Sequence, residues 1–502
     1  MAYRELNDES ERVARALREM GLQPGDRLGI WLPNVPAWLA IFFACARLGA
    51  IAIAINTRFK SHELADIVKR SGCRFLVYWP GFRNINFDSV LNGCDATSLS
   101  SLSAIIAYTE EGNAAEHIQG KPVYRYSALT KGPELKDDAS RTDAACIMFT
   151  TSGTTKAPKF VLHDQQSLTR HAYEIAAGFG YSEEGSRVLT TAPLCGAFGF
   201  CNALAAIAAP CPLIMYPTFD AAESARAVDR HAITHTNATD DMFAQMLDAT
   251  PQGHRFSSIR SFGFAAFSPA LVDLAARAET RGMNLVGVYG SSEMQGLLAR
   301  QDEKANLPER ALAGGRLVSN DARVRARDPE TGAVLAHGQA GELEFKAPSR
   351  MVGYFENEEA NSAAIAEDGW FRSGDLGHTT TDRSFVFFTR VGDAIRLSGF
   401  MVSPAEIEEV LQQHPDVQAA QVVGAATPKG IKAVAFVIPR AEATFDEDAL
   451  VAHCATRIAR YKVPSRIAPL AEFPTTPGAN ATKIQKSKLR ELAQELLAEN
   501  SG

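Results

Sequence analysis

Cys146-Ile147-Met148-Phe149-Thr150-Thr151-Ser152-Gly153-Thr154-Thr155-Lys156-Ala157-Pro158-Lys159 is the stretch on which the reading of this chain turns. Cys146 to Phe149 has the length and apolar character of a buried strand. It runs into a segment of hydroxyls and glycine that closes on Pro158 and Lys159, which reads as a loop. Hydroxyls and backbone N–H groups after a strand make an anion cradle, and Lys159 adds a charge. The spacing is not the Gly-x-x-x-x-Gly-Lys-Ser/Thr of a P-loop. Alone, the run fits a polar surface loop as well, so the flanking chain has to decide.

Upstream, helix and strand signals alternate. Asp8 to Met20 reads as a helix, with Asp8 and Glu11 at capping-box spacing and Gly21 as the stop. Strands are expected at Arg27 to Leu32, Ile51 to Ile55 and Phe75 to Trp79, with helices at Pro36 to Leu48 and Ser61 to Arg70. Apolar strands alternating with helices argue for a parallel sheet covered on both faces. The alternation returns between Ile147 and Val288. From Val324 to Phe388 short strands between Gly, Asp and Pro turns predict a β-rich subdomain. Asn92 to Ser103 and Lys131 to Asp143 read as loops.

A boundary is expected near Arg390. Beyond it, Ser403-Pro404-Ala405-Glu406 is a helix start, with Ser at the cap, Pro at the first turn and Glu three residues after the cap. Ile407, Val410 and Leu411 supply its buried face. Strands at Val417–Val423 and Ala433–Ile438 and a helix from Asp446 to about Arg460 complete a small α+β unit. The fold class is therefore α/β, with a large N-terminal domain, residues 1–390, of parallel-type sheets sandwiched by helices plus the β-rich subdomain. Residues 391–502 form a small α+β C-terminal domain.

Composition narrows the function. The chain has 502 residues, is 46% hydrophobic and carries a formal charge of −7, so nothing favours a nucleic-acid partner. Its eight cysteines include no Cys-x-x-Cys pair and no zinc-ligand spacing, which fits a reducing, cytoplasmic setting. The longest apolar stretch, Cys201 to Tyr216, is broken by Pro210 and Pro212 and is too short to span a membrane. The N-terminus carries no signal-peptide pattern.

The opening loop resembles the Thr-Ser-Gly-Thr-Thr-Gly-x-Pro-Lys signature of adenylate-forming enzymes: acyl-CoA synthetases, aryl-CoA ligases, luciferases and peptide-synthetase adenylation domains. The resemblance continues along nearly the whole chain. It takes in Tyr289-Gly290-Ser291-Ser292-Glu293, then Gly341-Glu342-Leu343 with Gly353-Tyr354-Phe355, then Asp368 to Gly377. Arg390 to Glu408, Tyr461-Lys462-Val463-Pro464 and Thr482-Lys483-Ile484 follow in the family's order. It implies ATP, Mg²⁺ and coenzyme A, with attack of a carboxylate on the α-phosphorus.

The resemblance implies these roles. Thr151, Ser152, Gly153, Thr154, Thr155 and Lys159 hold the phosphates. Glu293 carries Mg²⁺. Tyr289 stacks on adenine, though it also reads as a core aromatic, and Ala265, Gly290 and Ser292 lie beside the nucleotide. Asp375 accepts from both ribose hydroxyls, which suits a carboxylate's two oxygens, and Arg390 adds a second ribose contact. Lys483 is the catalytic lysine, brought by a mobile C-terminal domain that turns about a hinge at Gly392. Gly399 lines the thiol tunnel. The acid pocket falls on Cys195, Gly196, Phe198, Asp240, Phe264 and Gly296, of which Cys195 and Phe198 read equally well as core.

The chain also departs from the pattern. Lys156 and Phe160 stand where glycine is usual, Ser292 where threonine is, Gly196 where histidine is, and Gly392 where the hinge has Asp or Lys. Thr482 replaces the glycine before the catalytic lysine, and Pro477 to Ala481 lengthens that loop. The chain also begins where members usually carry a further stretch. The peptide-synthetase Phe-Asp motif is absent, which argues against an amino-acid substrate. The expected function is an ATP-dependent carboxylic acid–CoA ligase acting on a small-molecule acid. The alternatives are an acyl-AMP ligase that loads a carrier protein, and a non-catalytic nucleotide-binding homologue. The identity of the acid and the oligomeric state, monomer or dimer, stay open.

Overall fold

A computed structural model describes residues 1–83, 85–109, 115–151, 158–265, 273–397, 400–427, 430–441, 443–477 and 482–498. Two large sheets organise the first 390 residues. In the nine-stranded sheet the strands Ala145–Thr150, Ile51–Ala54, Arg27–Trp31, Phe75–Tyr78, Ala104–Ala107 and Lys121–Arg125 lie side by side in that order, all parallel. Ile51–Ala54, Phe75–Tyr78 and Ala104–Ala107 are buried along their whole length and Arg27–Trp31 at all but its first residue, as strands covered on both faces must be. The helix Pro36–Leu48 is almost wholly apolar and packs in the largest core cluster. Gly49, in the left-handed region at φ 65°, ends it, the usual helix-stop conformation.

The second sheet has eleven strands. Its first half is parallel: Leu213–Met215, Val188–Thr190, His235–Thr239, Ser261–Ala265 and Leu285–Tyr289. Its second half is antiparallel and runs through Ala299–Arg300, Gly314–Leu317, Ser384–Arg390, Phe371–Thr381, Gly341–Lys346 and Arg323–Arg327. The β-rich stretch is therefore no separate sheet. It extends the parallel half edge to edge, and its short strand Gly353–Tyr354 crosses to the first sheet and pairs with Phe160–Asp164. Hydrogen-bond continuity between strands far apart in sequence leaves no trace in local composition.

Several boundaries differ from expectation. The first helix is Tyr3–Glu19, and the Glu5 carboxylate accepts from the backbone N–H of Ala2; Asp8 and Glu11 lie inside it. The 92–103 stretch contains the short 3₁₀ turn Ala96–Leu99. The helix expected to reach Arg460 is Glu447–Ala455, capped by Asp446. Ser403 precedes the helix Pro404–Gln412, but its hydroxyl makes no cap bond and is buried without a partner among the described residues. After Arg390 the chain passes through the turn Val391–Asp393 into smaller sheets, whose two core clusters draw only on residue 395 onward.

Candidate active site

The strands Ala145–Thr150 and Phe160–Asp164 form an antiparallel hairpin, and the opening motif is the sequence that joins them. The stem is tied by Thr151 N–H donating to the Lys159 carbonyl (3.0 Å) and Lys159 N–H donating to Thr151 Oγ1 (3.2 Å). Ser152, Gly153, Thr154, Thr155 and Lys156 lie outside the described residues. Phe160 replaces a glycine for a visible reason. Its ring is buried, the Arg70 guanidinium lies 4.7 Å from the ring centroid, and Arg70 Nη2 donates to the Pro158 carbonyl at 2.9 Å. One arginine thus covers the phenylalanine and braces the stem. Three residues further on, His163 Nε2 lies 2.8 Å from the Ser292 carbonyl. A carbonyl only accepts, so Nε2 carries the hydrogen. Burial pulls this imidazole's pKa down to about 4, so it is neutral at pH 7.

Ser292 opens the second part of the site. The strand Leu285–Tyr289 ends at Gly290, where a Cβ would fall 1.0 Å from the Gly296 carbonyl oxygen. Only glycine lets the chain close that tightly. The 3₁₀ turn Ser292–Met294 then presents Glu293. The Tyr354 hydroxyl donates to Glu293 Oε1 at 3.0 Å, and the Lys159 ammonium lies 4.4 Å from the Tyr354 ring centroid. Lys159 and Glu293 are therefore brought together through a tyrosine that had no assigned role. The Gly-Tyr pair was legible as a motif, but nothing local says where its hydroxyl points.

Asp375 is the centre of a third cluster and is only 4% exposed. The Tyr289 hydroxyl donates to its Oδ2. Arg390 Nε lies 3.0 Å from its Oδ1, an ion pair without an aligned hydrogen bond, and Arg390 Nη1 donates to the Ser373 carbonyl at 2.8 Å. Asp375 and Arg390 face each other across adjacent strands. Burial raises the Asp375 pKa; Arg390 and the Tyr289 hydroxyl pull the other way and do not fully offset it. Glu342 holds the preceding turn by accepting from the Gly374 N–H at 3.0 Å. Tyr289 itself is 8% exposed and packs against Phe345, Phe385 and Phe387 at centroid distances of 5.0–5.7 Å. Its ring therefore packs among core aromatics while its polar tip reaches Asp375.

The acid-pocket candidates fall in two groups. Asp240 begins the helix Asp240–Asp248 after the strand His235–Thr239, and Phe264 and Ala265 end the neighbouring strand, in register with it. Gly196 caps the helix Ala197–Ala208, and a Cβ on Gly296 would sit 3.0 Å from the Ala197 carbonyl oxygen and 3.2 Å from Phe198 Cα. Gly196, Phe198 and Gly296 are thus neighbours. Cys195 is buried in the main core, and burial pushes its thiol up to about 11. Phe264 is likewise core, at 6% exposure.

Lys483 lies on the strand Thr482–Ile484, opposite Thr476 of the strand Thr475–Pro477; its side chain is outside the description, as is Gly399. Gly392 sits in the Val391–Asp393 turn, where Arg490 Nη2 donates to its carbonyl (2.9 Å) and to Asp393 Oδ1 (2.7 Å).

An enzyme that handles a nucleotide at the carboxyl edge of a parallel sheet is the class this geometry defines. The chain belongs to the AMP-binding enzyme family: residues 1–355 match the AMP-binding enzyme model and 406–479 match that of its C-terminal domain. It is 30% identical to a feruloyl-CoA synthase of an Amycolatopsis species, over 98% of this chain and 93% of that one. It is 27% identical to the mitochondrial medium-chain acyl-CoA ligase of Danio rerio, over 99% and 84%. Among solved structures, o-succinylbenzoate coenzyme A synthetase from Bacillus subtilis in complex with AMP superposes with a TM-score of 0.78 at 25% identity, covering 97% of this chain and 92% of that one. The chain is accordingly an AMP-forming acid–CoA ligase, which uses ATP to carry an acid through an acyl-adenylate to a thioester. No described helix is long and apolar enough to cross a membrane.

Proposed function

We propose that this ligase activates an apolar carboxylic acid and transfers the acyl group to coenzyme A, with the following division of labour. The acid's carboxylate oxygen attacks the α-phosphorus and the bond to pyrophosphate breaks. Lys159 and the hairpin loop hold the β- and γ-phosphates, and Lys483 offsets charge on the reacting oxygens. Asp375 and Arg390 take the ribose hydroxyls. The coenzyme A thiolate then attacks the acyl carbon, and AMP leaves. The observation that carries this reading is the junction of Tyr289, Asp375 and Arg390, beside which Lys159 and Glu293 meet on Tyr354.

Mg²⁺ suits Glu293. Among the described residues no group of three or more His, Cys, Asp or Glu is placed to hold a metal. A lone carboxylate is what Mg²⁺ uses when phosphates supply further oxygens, and there it would neutralise charge on those oxygens. Gly196 and Gly296 give the pocket room, and the partly buried Phe198 gives it an apolar wall. Coenzyme A is favoured over a carrier protein because the sequence has no insertion of the fatty acyl-AMP ligase kind. Free thiols at all eight cysteines fit a cytoplasmic location. The domain division at residue 390 belongs to the same proposal.

The test is a panel of aliphatic, aromatic and polycyclic acids assayed for hydroxamate formation and for thiol loss. Thiol loss is expected only with ATP, acid and coenzyme A together. Hydroxamate without thiol loss would transfer the reading to carrier loading, and neither signal with any acid would leave a nucleotide-binding homologue.

A further inference from the structure

Tyr354 is held more firmly than a surface tyrosine needs to be. Its strand pairs with Val161 and Leu162 just beyond the hairpin loop. Asn361 grips its backbone from both sides: Oδ1 accepts from Tyr354 N–H at 2.6 Å and Nδ2 donates to the Tyr354 carbonyl at 3.1 Å. Three residues upstream, Met351 N–H donates to the Glu293 carbonyl at 2.7 Å. The Glu293 turn is thus fixed to the Tyr354 segment by main chain as well as side chain.

What the tyrosine presents is divided between two charges. Its hydroxyl occupies Glu293 Oε1, while Oε2 receives no hydrogen bond from a described residue. Its ring lies against the Lys159 ammonium, an attraction between a cation and an aromatic face. Burial, then the Glu293 charge, raises the phenol's pKa, so it stays a protonated donor.

We propose that Tyr354 is a positioning residue: it pins one oxygen of Glu293 so that the other faces the metal bound to ATP, and it sets Lys159 at a fixed distance from that carboxylate. This rests on the reading of Glu293 as the metal carboxylate. A group that orients a metal ligand acts through metal affinity, and removing it costs about ten-fold or more. Removing the ring as well takes away a support for the lysine, which acts on phosphate with or without metal.

The experiment uses the full chain with Mn²⁺ as the probe, reading Mn²⁺·ATP binding by electron paramagnetic resonance without acid, and ATP binding in EDTA by calorimetry. Tyr354→Phe keeps the ring and is expected to weaken Mn²⁺·ATP binding by about ten-fold, with metal-free ATP binding and Tm unchanged. Tyr354→Leu is expected to weaken metal-free ATP binding too. Added to Glu293→Gln, Tyr354→Phe should cost nothing further, because it acts through that carboxylate. The proposal is overturned if Tyr354→Phe leaves Mn²⁺·ATP affinity within two-fold, if its loss is the same in EDTA, or if the two substitutions add. If Tyr354→Leu does not fold, Tyr354→Phe and the double variant still decide. Failure of the parent protein to bind Mn²⁺·ATP would overturn the reading of Glu293 and this proposal together, whereas failure to turn over any acid would count against the ligase reading alone.

Discussion

Asp375 shows what one position does when burial and two partners act on it in opposite directions. Burial disfavours its charge, yet Arg390 across the strand and the Tyr289 hydroxyl both favour it. Under the ribose role proposed for it, such a carboxylate would accept from a vicinal diol, at the cost of acceptor capacity already given to Tyr289. The motifs single out Tyr289, Asp375 and Arg390, but not their convergence. That depends on strand register, and Asp375 meets Arg390 only because Phe371–Thr381 and Ser384–Arg390 are paired as they are. Lys483 is the opposite case, a residue with a motif and no described side-chain contact. Under the catalytic role proposed for it, replacing it with alanine removes a charge that stabilises the transition state, an effect of roughly 100- to 1,000-fold in electrostatically stabilised reactions. Acid-dependent pyrophosphate exchange by Lys483→Ala should fall by that much with Tm unchanged, since the residue sits on a two-stranded ribbon and belongs to no core cluster among the described residues. Near-normal exchange would remove Lys483 from the mechanism.

The strand Phe160–Asp164 and the helix Gln165–Gly178 joined to it show how far elements could be read. Strands buried on both faces announce themselves as apolar runs, which is why Arg27–Trp31, Ile51–Ala54 and Phe75–Tyr78 fall within a residue of expectation. The first helix began five residues earlier than its capping pattern suggested, because Glu5 reaches back to Ala2 and makes a competing start. Buried polar positions left no signal at all. His163 and His171 lie on that strand and helix, and His235 on the neighbouring sheet; burial lowers their pKa values to about 4, 3 and 4. In the unfolded chain each takes up a proton near pH 6.5. Below that pH the unfolded state binds more protons, so stability is fully present above about 6.5 and is lost as pH falls toward 4. Each imidazole adds up to about 1.4 kcal/mol per pH unit to the slope. Denaturant midpoints should therefore decline from pH 7 to pH 5, and His163→Gln should flatten the decline. A midpoint that holds level over that range would show that these rings are not kept neutral.

At the scale of the molecule the open question is how two half-reactions share one site. The resemblance to adenylate-forming enzymes implies rotation of the C-terminal unit about Gly392, where the family usually has Asp or Lys. In the present conformation nothing demands glycine there: its φ is outside the left-handed region and an added Cβ would meet nothing within 4 Å. A glycine that one conformation does not need is explained if a second one does. Arg490, on the last helix, holds the Gly392 carbonyl and Asp393. In the rotation that the resemblance implies, the chain beyond the Gly392 Cα would travel with the C-terminal unit, and rotation about φ of Gly392 would lie upstream of that grip. An L-residue pays about 1–2 kcal/mol to enter the left-handed region, a factor of roughly 5–30. Gly392→Ala should thus fold normally and keep pyrophosphate exchange within about two-fold, because the adenylation conformation tolerates the methyl group if it is the one seen here. The single-turnover rate of thioester formation from preformed acyl-adenylate should drop by that factor of roughly 5–30. If exchange falls and thioester formation does not, the conformation described here is the thioester-forming one; if neither changes, the rotation does not use the freedom of Gly392 and the pivot lies elsewhere in the turn.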